Sequence, residues 1–228
     1  MDRVAWALVN YGPIWSPAYT SHLRAIAKAS RTLEMQHLGG MYACGATDRM
    51  YVHSAENRVV QEFLLGDCTH LFMTESDMIL PEDTIALLLE VRQPIVSGGY
   101  FLRGGNGQPC LYKKAVRSKQ NPYPHTPVSL FPTNAPFKLN GCPGMGCVLL
   151  ERHVFETLPF PWFDLKENYY GSDMFFYTNA QDAGIDVWVH PGVACGQIDY
   201  EVVGIEDYHA RMQTDPSFAG SGYIIGLQ

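Results

Sequence analysis

The stretch CTHLFMTESDMILPEDTI, residues 68–85, contains an apolar run that is followed at once by two carboxylates and a helix start. The run Leu71–Met73 is typical of a strand buried on both faces. Residues i and i+2 of an extended segment point to the same side, so Glu75 and Asp77 can converge on one cation. Pro81 and the acids after it predict the first turn of a helix. Two interpretations stay open, a solvated turn and a site for a divalent metal that carries a diphosphate.

The composition is that of one globular domain. The chain has 228 residues, of which 46% are hydrophobic and 17% are charged, which is enough to bury a sizeable core. The apolar run Val4–Val9 is too short for a signal peptide and is better explained as a strand. No stretch approaches the ~20 apolar residues that span a bilayer. The six cysteines form no CxxC pair, so we expect free thiols in a reducing cytoplasm.

Positive charge is concentrated in the middle of the chain. The formal net charge is −7, but residues 91–150 contain seven lysines or arginines and no acid. The rest of the chain carries nine basic and 23 acidic residues, a net charge of −14. A basic segment inside an acidic protein favours an anionic partner. That partner is either a nucleic acid or only the phosphates of a nucleotide, unless the segment faces no partner at all.

Strands and helices alternate through the first hundred residues. The predicted strands are Val4–Val9, Thr32–His37, Leu71–Met73 and Pro94–Tyr100, and the predicted helices are Ser16–Ser30, Ala55–Leu65 and Pro81–Arg92. This alternation implies right-handed βαβ units and a mostly parallel sheet.

The second half of the chain has a less regular pattern. Residues 103–140 are rich in Gly and Pro and predict a long functional or mobile loop. The further predictions are short strands at Leu111–Tyr112 and Val128–Phe131, strands at Cys147–Leu150 and Ile185–Val189, a short helix around Val154 and a helix at Met174–Ala183. The residues after Gln197 show little clear pattern.

Three blocks together resemble family 2-type glycosyltransferases of the GT-A fold, particularly the short bacterial and bacteriophage members. The blocks are THLFMTESDMILPEDTI (69–85), GCPGMGCVLLERHVFE (141–156) and GSDMFFYTNAQDAGIDVWVHPGVACG (171–196), and a weaker one is HSAENRVVQEFL (53–64). The resemblance covers about residues 4–200 and lies in the order and spacing of the blocks. It implies one GT-A-type α/β domain over residues 1–228, in the cytoplasm of a bacterium or a phage-infected cell. Residues 1–100 would form its nucleotide-binding half and residues 101–228 its acceptor-binding half.

The resemblance implies a metal-dependent transfer of a sugar from a nucleotide sugar, with a UDP-sugar as the first expectation, to a hydroxyl group. Asp77 matches the direct ligand of Mn²⁺ or Mg²⁺, Glu75 matches the first acid of the motif, and Ser76 lies between them. Asp173 matches the carboxylate that takes the acceptor's proton, which predicts net inversion. Without the family context, Asp173 is only an acid that complements a helix dipole.

The other donor-site candidates lie in turns and in one helix. They are Asn10, Tyr11, Asn57, Gly144, Met145 and Gly146. Asn10 and Tyr11 follow the first strand, at the edge where such a sheet binds a nucleotide. The glycines would let the backbone approach the donor sugar, although turns that enter a strand also use glycine. Trp162 and Tyr169–Tyr170 are candidates either for stacking or for core packing.

Two residues depart from the family pattern. Ser172 stands where the family often has an acid, and Gln197 stands where it often has a histidine as third metal ligand. The carbonyl oxygen of Gln197 can serve a hard cation, so we retain it as a ligand candidate. The departures leave a second interpretation open, a catalytically silent module that binds nucleotide sugars or nucleic acid.

The acceptor hypothesis rests on the basic segment 91–150. It combines its cations with Tyr112, Tyr123 and Phe131, the combination that suits phosphate contact and base stacking. Phage relatives of the family include enzymes that glycosylate hydroxymethylated pyrimidines in DNA, so we hypothesise such DNA as the acceptor. A duplex base would have to be flipped out of the stack to reach Asp173. The alternatives are a saccharide or a lipid-linked glycan.

Overall fold

A computed structural model of the chain describes residues 2–10, 12–35, 41–46, 49–103, 107–114, 125–129, 131, 135–165, 171–199 and 202–214. The helices in these ranges are α1 Ser16–Met35, α2 Val52–Leu65, α3 Thr84–Glu90, α4 Arg152–Thr157, α5 Ser172–Asp182 and α6 Ile205–Thr214. The strands are β1 Val4–Val9, β2 Met41–Ala46, β3 His70–Glu75, β4 Met78–Ile79, β5 Ile95–Gly99, β6 Tyr112–Lys114, β7 His125–Pro127, β8 Phe137–Lys138, β9 Gly141–Cys142, β10 Cys147–Glu151, β11 Val187–Ala194, β12 Gly196–Ile198 and β13 Val202–Val203.

The central sheet has seven strands in the order β2-β1-β3-β10-β5-β11-β8. Strands β2, β1, β3, β5 and β11 run in one direction, and β10 and β8 run against their neighbours. The predicted α/β class with a mostly parallel sheet is therefore confirmed. Two three-stranded sheets, β13-β12-β4 and β7-β6-β9, accompany the central one.

Helices cover both faces of the central sheet because successive side chains of each buried strand point to opposite sides. In β3, Leu71 and Met73 join a core cluster that includes residues of α2, α4 and α5. Phe72 points the other way and joins a cluster with residues of α1 and α3. All three side chains are fully buried, and burial of an apolar side chain of this size contributes about 1.5–3 kcal/mol. The continuous apolar run therefore folds as the strand predicted for it.

The predicted strand Thr32–His37 is wrong, because helix α1 continues to Met35 and the second strand of the sheet is Met41–Ala46. Leu33 is one helical turn beyond Ala29 and is 2% exposed, so the last turn of α1 still has a side chain to bury. The Thr32 hydroxyl donates a hydrogen bond to the Lys28 carbonyl at 3.0 Å, which suits a helix. Core packing outweighs the β-propensity of a single threonine.

The loop and the tail contain more structure than their sequences indicate. Strands β6 and β7 pair antiparallel, so the short strand expected at Val128–Phe131 lies instead at His125–Pro127. Helix α6 lies in the region where no pattern was predicted, and its Tyr208 is 5% exposed. The Tyr208 hydroxyl accepts a hydrogen bond from the Phe131 backbone N–H at 3.1 Å. Among the described residues, no helix has the length and apolar character to cross a membrane.

Candidate active site

A cleft of about 460 Å³ opens beside the carboxyl ends of β1 and β3. Strand β1 lies between β2 and β3 in the sheet. The connection from β1 leads to β2 on one side, and the next connection passes back across β1 to β3 on the other side. In open α/β sheets such a switch point is where ligands bind. The volume lies within the range of about 300–1,000 Å³ that is usual for small-molecule sites.

The cleft has two chemically different sets of lining residues. Trp15, Met50, Tyr51 and Val52 come from the segments before α1 and at the start of α2, and they are apolar or aromatic. Glu75, Ser76, Asp77 and Arg103 come from the β3–β4 turn and from the segment after β5, and they are polar or charged. The cleft therefore suits a ligand with one flat apolar part and one charged part.

Four of the residues predicted for the donor site line this cleft, namely Asn10, Glu75, Ser76 and Asp77. The Asn10 side-chain oxygen accepts a hydrogen bond from the Gly12 backbone N–H at 3.2 Å, which fixes the turn that follows β1. Tyr11 lies outside the described residues.

Asp77 is held in the turn between β3 and β4, and its side chain is 15% exposed. Its Oδ2 atom accepts a hydrogen bond from Gln197 Nε2 at 3.3 Å and lies 3.4 Å from a guanidinium nitrogen of Arg103. Strand β12 brings Gln197 to this position by pairing it with Met78. The structure thus brings together Asp77 and Gln197, two of the three predicted metal ligands.

Glu75 ends β3, and its backbone N–H donates a hydrogen bond to the Gly146 carbonyl at 3.2 Å. Burial raises the pKa of the Glu75 carboxyl to about 7, with additional contributions from the negative charges of Asp77 and Asp173. The positive charge of Arg103 acts in the opposite direction. Glu75, Asp77 and Asp173 therefore form one electrostatically connected group.

A divalent cation fits the oxygen atoms around Asp77. The Oδ1 atom of Asp77 is buried and has no hydrogen-bond partner within the described residues, which leaves it available to a cation. The same residues contain no group of three His, Cys, Asp or Glu side chains that could hold a metal. A site with few protein ligands is usual for Mg²⁺, which keeps several waters and binds substrate phosphates. Gln197 would have to turn its amide oxygen toward the cation.

Asp173 lies in the first turn of α5 and is partly buried. Its Oδ1 atom accepts a hydrogen bond from the Met174 backbone N–H at 2.8 Å. Burial raises the pKa of the Asp173 carboxyl, whereas the Met174 N–H, the charge of His125 and the Cys142 thiol act to lower it. A carboxylate that is partly buried yet hydrogen-bonded in a fixed orientation is suited to accept a proton.

Glu56 is a fourth carboxyl group of this region, and it is not among the site residues predicted from the sequence. It is 1% exposed, and the Ser172 hydroxyl donates a hydrogen bond to its Oε2 atom at 2.6 Å. Its position could have been found from the sequence. Glu56 precedes Val59, Val60 and Phe63 by three, four and seven residues, so it lies on the buried stripe of α2.

Asn57 is buried, and its amide holds the segment before α5 in place. Its oxygen accepts hydrogen bonds from the backbone N–H groups of Trp162 and Phe163 at 3.0 and 3.3 Å. Its nitrogen donates to the carbonyls of His53 and Phe163 at 2.8 and 2.6 Å. Asn57 does not line the cleft, and these contacts give it a structural role.

The glycine-rich turn before β10 packs against buried side chains. Gly144 has a positive φ of 63°, and a Cβ atom there would lie 2.1 Å from the Tyr100 hydroxyl. A Cβ atom at Gly146 would lie 2.9 Å from the sulfur of Met78. Met145 is 4% exposed and belongs to the core. Packing in the core thus explains the residue type at each of these three donor-site candidates.

The aromatic and cationic residues of the cleft are not among the site residues predicted from the sequence: Trp15, Tyr51 and Arg103. Trp15 is 58% exposed and Tyr51 is 78% exposed, although large aromatic side chains are usually covered. The Tyr51 ring stacks on His53, with a centroid distance of 6.1 Å. Both aromatic residues immediately precede the first residue of a helix, which is the only signal in the sequence.

The basic segment 91–150 is partly neutralised by acids from elsewhere in the chain. Lys114 pairs with Asp182 at 2.7 Å, and Lys138 pairs with Asp186 at 2.6 Å. Two of the candidates for base stacking are not available to a ligand, because Phe131 is 4% exposed and Trp162 is 8% exposed. Arg117, Lys119, Tyr123 and Tyr169–Tyr170 lie outside the described residues.

No protein-family model matches the chain, and no curated protein matches it in sequence. Among solved structures, the chain is similar to a CMP:2-keto-3-deoxy-manno-octonic acid synthetase in complex with CTP. The sequence identity is 14%, the TM-score is 0.46, and the match covers 83% of this chain and 89% of that chain. Similarity at this level assigns neither a family nor an activity to the protein.

Proposed function

We propose that the protein transfers a sugar from a nucleotide sugar to a hydroxyl group with net inversion, as a metal-dependent glycosyltransferase of GT-A type. The observation that carries the proposal is the cleft at the switch point, with Asp77 in its wall and Asp173 electrostatically coupled to Glu75 of the same wall. A transferase of this kind needs a site for a diphosphate and a separate carboxylate to accept a proton. Asp77 and Asp173 are suited to these two tasks.

The two sets of cleft residues would bind the two ends of the nucleotide. The exposed rings of Trp15 and Tyr51 would cover the nucleobase, because aromatic side chains stack on any base. Arg103 would contact the diphosphate, for which a guanidinium is a suitable donor of paired hydrogen bonds. The sugar would then project toward Glu75 and Asp173. We keep UDP as the first nucleotide to test.

Asp77 would hold Mn²⁺ or Mg²⁺ through its Oδ1 atom, which has no hydrogen-bond partner among the described residues. Such a cation, when bound, neutralises the negative charge that develops on the departing nucleoside diphosphate. Gln197 and Arg103 keep the Asp77 carboxylate in one orientation through its other oxygen. The pKa of Glu75 is raised to about 7 by burial, and a nearby cation would favour its ionised form. Glu75 would then act on the ligand directly or through water.

Asp173 would accept the proton of the acceptor hydroxyl as that oxygen attacks the anomeric carbon. The hydrogen bond from Met174 fixes the direction of the carboxylate. Attack from the side opposite to the departing diphosphate, assisted by a single base, gives inversion. General-base assistance of this kind contributes about 10²–10⁴-fold to the rate.

The test begins with a panel of nucleotide sugars, measured for thermal stabilisation of the protein with and without MnCl₂. Donors that stabilise the protein are then incubated with it, and the released nucleotide is identified. Release of a nucleoside diphosphate, by transfer or by donor hydrolysis, supports the proposal. Release of pyrophosphate from a nucleoside triphosphate and a sugar would identify a nucleotidyltransferase instead. Donor binding without any product would identify a silent binding module.

The acceptor that we propose is a hydroxymethylated pyrimidine in DNA. Lys113 lies on β6 with an exposed side chain, and we take it as the candidate for phosphate contact. The test is transfer of a labelled sugar to hydroxymethylcytosine-containing DNA over a salt series, because phosphate contacts weaken steeply with salt. Lys113→Glu should reduce transfer to DNA and leave donor hydrolysis unchanged. Transfer to a free saccharide or to a lipid-linked glycan, with no labelling of DNA, would refute the DNA acceptor.

A further inference from the structure

Glu56 is a buried carboxyl group for which the proposed reaction has no use. It lies on α2, is 1% exposed, and is joined to Ser172 by a hydrogen bond of 2.6 Å. Ser172 is itself 4% exposed and is the first residue of α5. The residue that follows it is Asp173. Glu56 is therefore one hydrogen bond and one residue away from the proposed base.

The charged groups that face Glu56 are acidic. The Asp173 carboxyl group, on α5, and the Glu75 carboxyl group, at the end of β3, interact with Glu56 electrostatically. The phenol of Tyr177, also on α5, interacts with it electrostatically. Within the described part of the chain, no lysine, arginine or histidine forms an ion pair with Glu56.

A buried carboxylate without a cation is expensive, and neighbouring acids increase the cost. Isolated charges of this kind take up a proton instead of remaining ionised. Consistent with this, burial raises the pKa of Glu56 well above its ordinary value. The hydrogen bond from Ser172 acts to lower this pKa, whereas the charges of Asp173 and Glu75 raise it further. The neutral carboxylic acid still offers Oε2 to the Ser172 hydroxyl.

We propose that Glu56 is a positioning residue that, as a neutral carboxylic acid, anchors Ser172 and thereby the first turn of α5 that carries Asp173. This inference rests on the proposed role of Asp173. The neutral form connects α2 to α5 without adding a further negative charge beside Glu75 and Asp173. An ionised Glu56 would repel the carboxylate that it helps to orient.

The kinetic test compares Glu56→Ala, Glu56→Gln and Ser172→Ala. A base that is displaced by about 1 Å costs on the order of 10²-fold in rate, so Glu56→Ala should lower kcat by roughly that factor and leave the KM of the donor unchanged. Glutamine is neutral and keeps the acceptor oxygen, so Glu56→Gln should recover most of the lost turnover. Glu56→Ala combined with Ser172→Ala should lower kcat no further than either change alone, because both remove the same hydrogen bond. The control is Glu62→Gln, which changes a partly exposed acid of the same helix that pairs with Arg58.

A second measurement requires no activity. Infrared spectra of wild-type protein and of Glu56→Gln are recorded at neutral pH with ¹³C-labelled glutamate, and one is subtracted from the other. The difference should contain the carbonyl band of a protonated carboxylic acid, and Glu62→Gln should instead remove a carboxylate band. This measurement remains valid if the protein proves not to transfer sugars, and it also remains valid if Glu56→Ala fails to fold.

Two results would overturn the proposal. A carboxylate band in the difference spectrum of Glu56→Gln would show that Glu56 is ionised. If the enzyme is active and Glu56→Gln is as slow as Glu56→Ala, the Ser172 contact does not position Asp173. The same conclusion follows if the losses in kcat of Glu56→Ala and Ser172→Ala add up when the two changes are combined. Absence of any donor turnover by the wild type, with the protonated band present, would count against the proposed function while leaving the neutral Glu56 intact.

Discussion

Replacement of Asp77 by asparagine is the most direct test of the metal site. Asparagine keeps the size of the side chain and can still pair with Gln197, but it removes the charge that would hold a cation. The Asp77 side chain is 15% exposed, and its Oδ1 atom has no hydrogen-bond partner within the described residues. No described hydrogen bond is lost at that oxygen. The ion pair with Arg103 is lost, but the Arg103 side chain is 58% exposed, and such a pair contributes about 0–1 kcal/mol. We therefore expect the metal-free variant to be destabilised by no more than about 1 kcal/mol.

The expected effect of metal follows from mass action. A ligand at a hundred times its dissociation constant stabilises the folded state by about 2.7 kcal/mol. For a chain of 150–250 residues, 1 kcal/mol shifts the melting temperature by about 2–4 °C. Saturating MnCl₂ with a nucleoside diphosphate should therefore raise the Tm of the wild type by roughly 5–11 °C beyond the effect of the nucleotide alone. Asp77→Asn should lose this metal-dependent part.

The assay is a thermal melt in four conditions: no addition, MnCl₂, nucleoside diphosphate, and both. UDP is tested first, followed by the other nucleoside diphosphates. Asp67→Asn is the matched control, because Asp67 is exposed and pairs with Arg3. An equal metal-dependent shift in Asp77→Asn and in the wild type would refute Asp77 as a ligand. Loss of the shift in Asp67→Asn as well would point to a nonspecific effect of charge.

Three further predictions concern the base, the nucleobase site and the glycine-rich turn. Asp173→Asn should lower turnover by about 10²–10⁴-fold with donor affinity unchanged, and turnover of this variant at the wild-type rate would exclude the role of base. A base must be ionised, and burial raises the pKa of Asp173. The kcat of the wild type should therefore begin to fall, as the pH is lowered, at a higher pH than an ordinary aspartate would give. Tyr51→Ala should weaken nucleoside diphosphate binding about 5–150-fold, because stacking on a base contributes about 1–3 kcal/mol. The affinity for pyrophosphate, which has no base, should not change. Equal losses of affinity for both ligands would contradict stacking. Gly144→Ala should lower the free energy of unfolding by about 1–3 kcal/mol because of its positive φ, and by more because its Cβ atom would clash with the buried Tyr100 hydroxyl. Gly184→Ala is the control, because Gly184 also has a positive φ but open space around it. Equal losses of unfolding free energy for the two variants in chemical denaturation would show that the clash is relieved.

The sequence predicts the centre of the fold because the signals there are local. The run Leu71–Met73 is buried on both faces, and only a central strand offers such a position to three consecutive residues. The acids that follow mark the edge of the sheet. The placement of Glu75 and Asp77 in the wall of a cleft follows from those two facts.

The elements that the sequence missed are decided by distant contacts. Helix α6 buries Tyr208 against Phe101, with ring centroids 5.6 Å apart, and neither residue indicates the other in the sequence. The last turn of α1 is fixed by the burial of Leu33, not by its intrinsic propensity. Gly144 illustrates the same limit, because its reason for being glycine is the hydroxyl of Tyr100.

The candidate site likewise has a part that the sequence predicts and a part that depends on distant contacts. The meeting of Asp77 with Gln197 was expected from the family resemblance, and the structure has the two side chains in contact. Trp15 and Tyr51 were not expected, because an aromatic residue before a helix is usually covered by the core. Their role becomes visible only when both rings are exposed in the wall of one cleft.

Helix α2 connects the donor end of the site to the base. Tyr51, directly before its first residue, lines the cleft, and Glu56, in its second turn, contacts Ser172 beside Asp173. If α2 moved as a rigid rod, a change at either residue would alter donor binding and turnover together. Asn57 opposes such movement, because its amide makes three hydrogen bonds to the backbone of Trp162 and Phe163, which lie outside the helix. We therefore expect the two effects to separate, with Tyr51→Ala acting mainly on donor affinity and Glu56→Ala mainly on kcat.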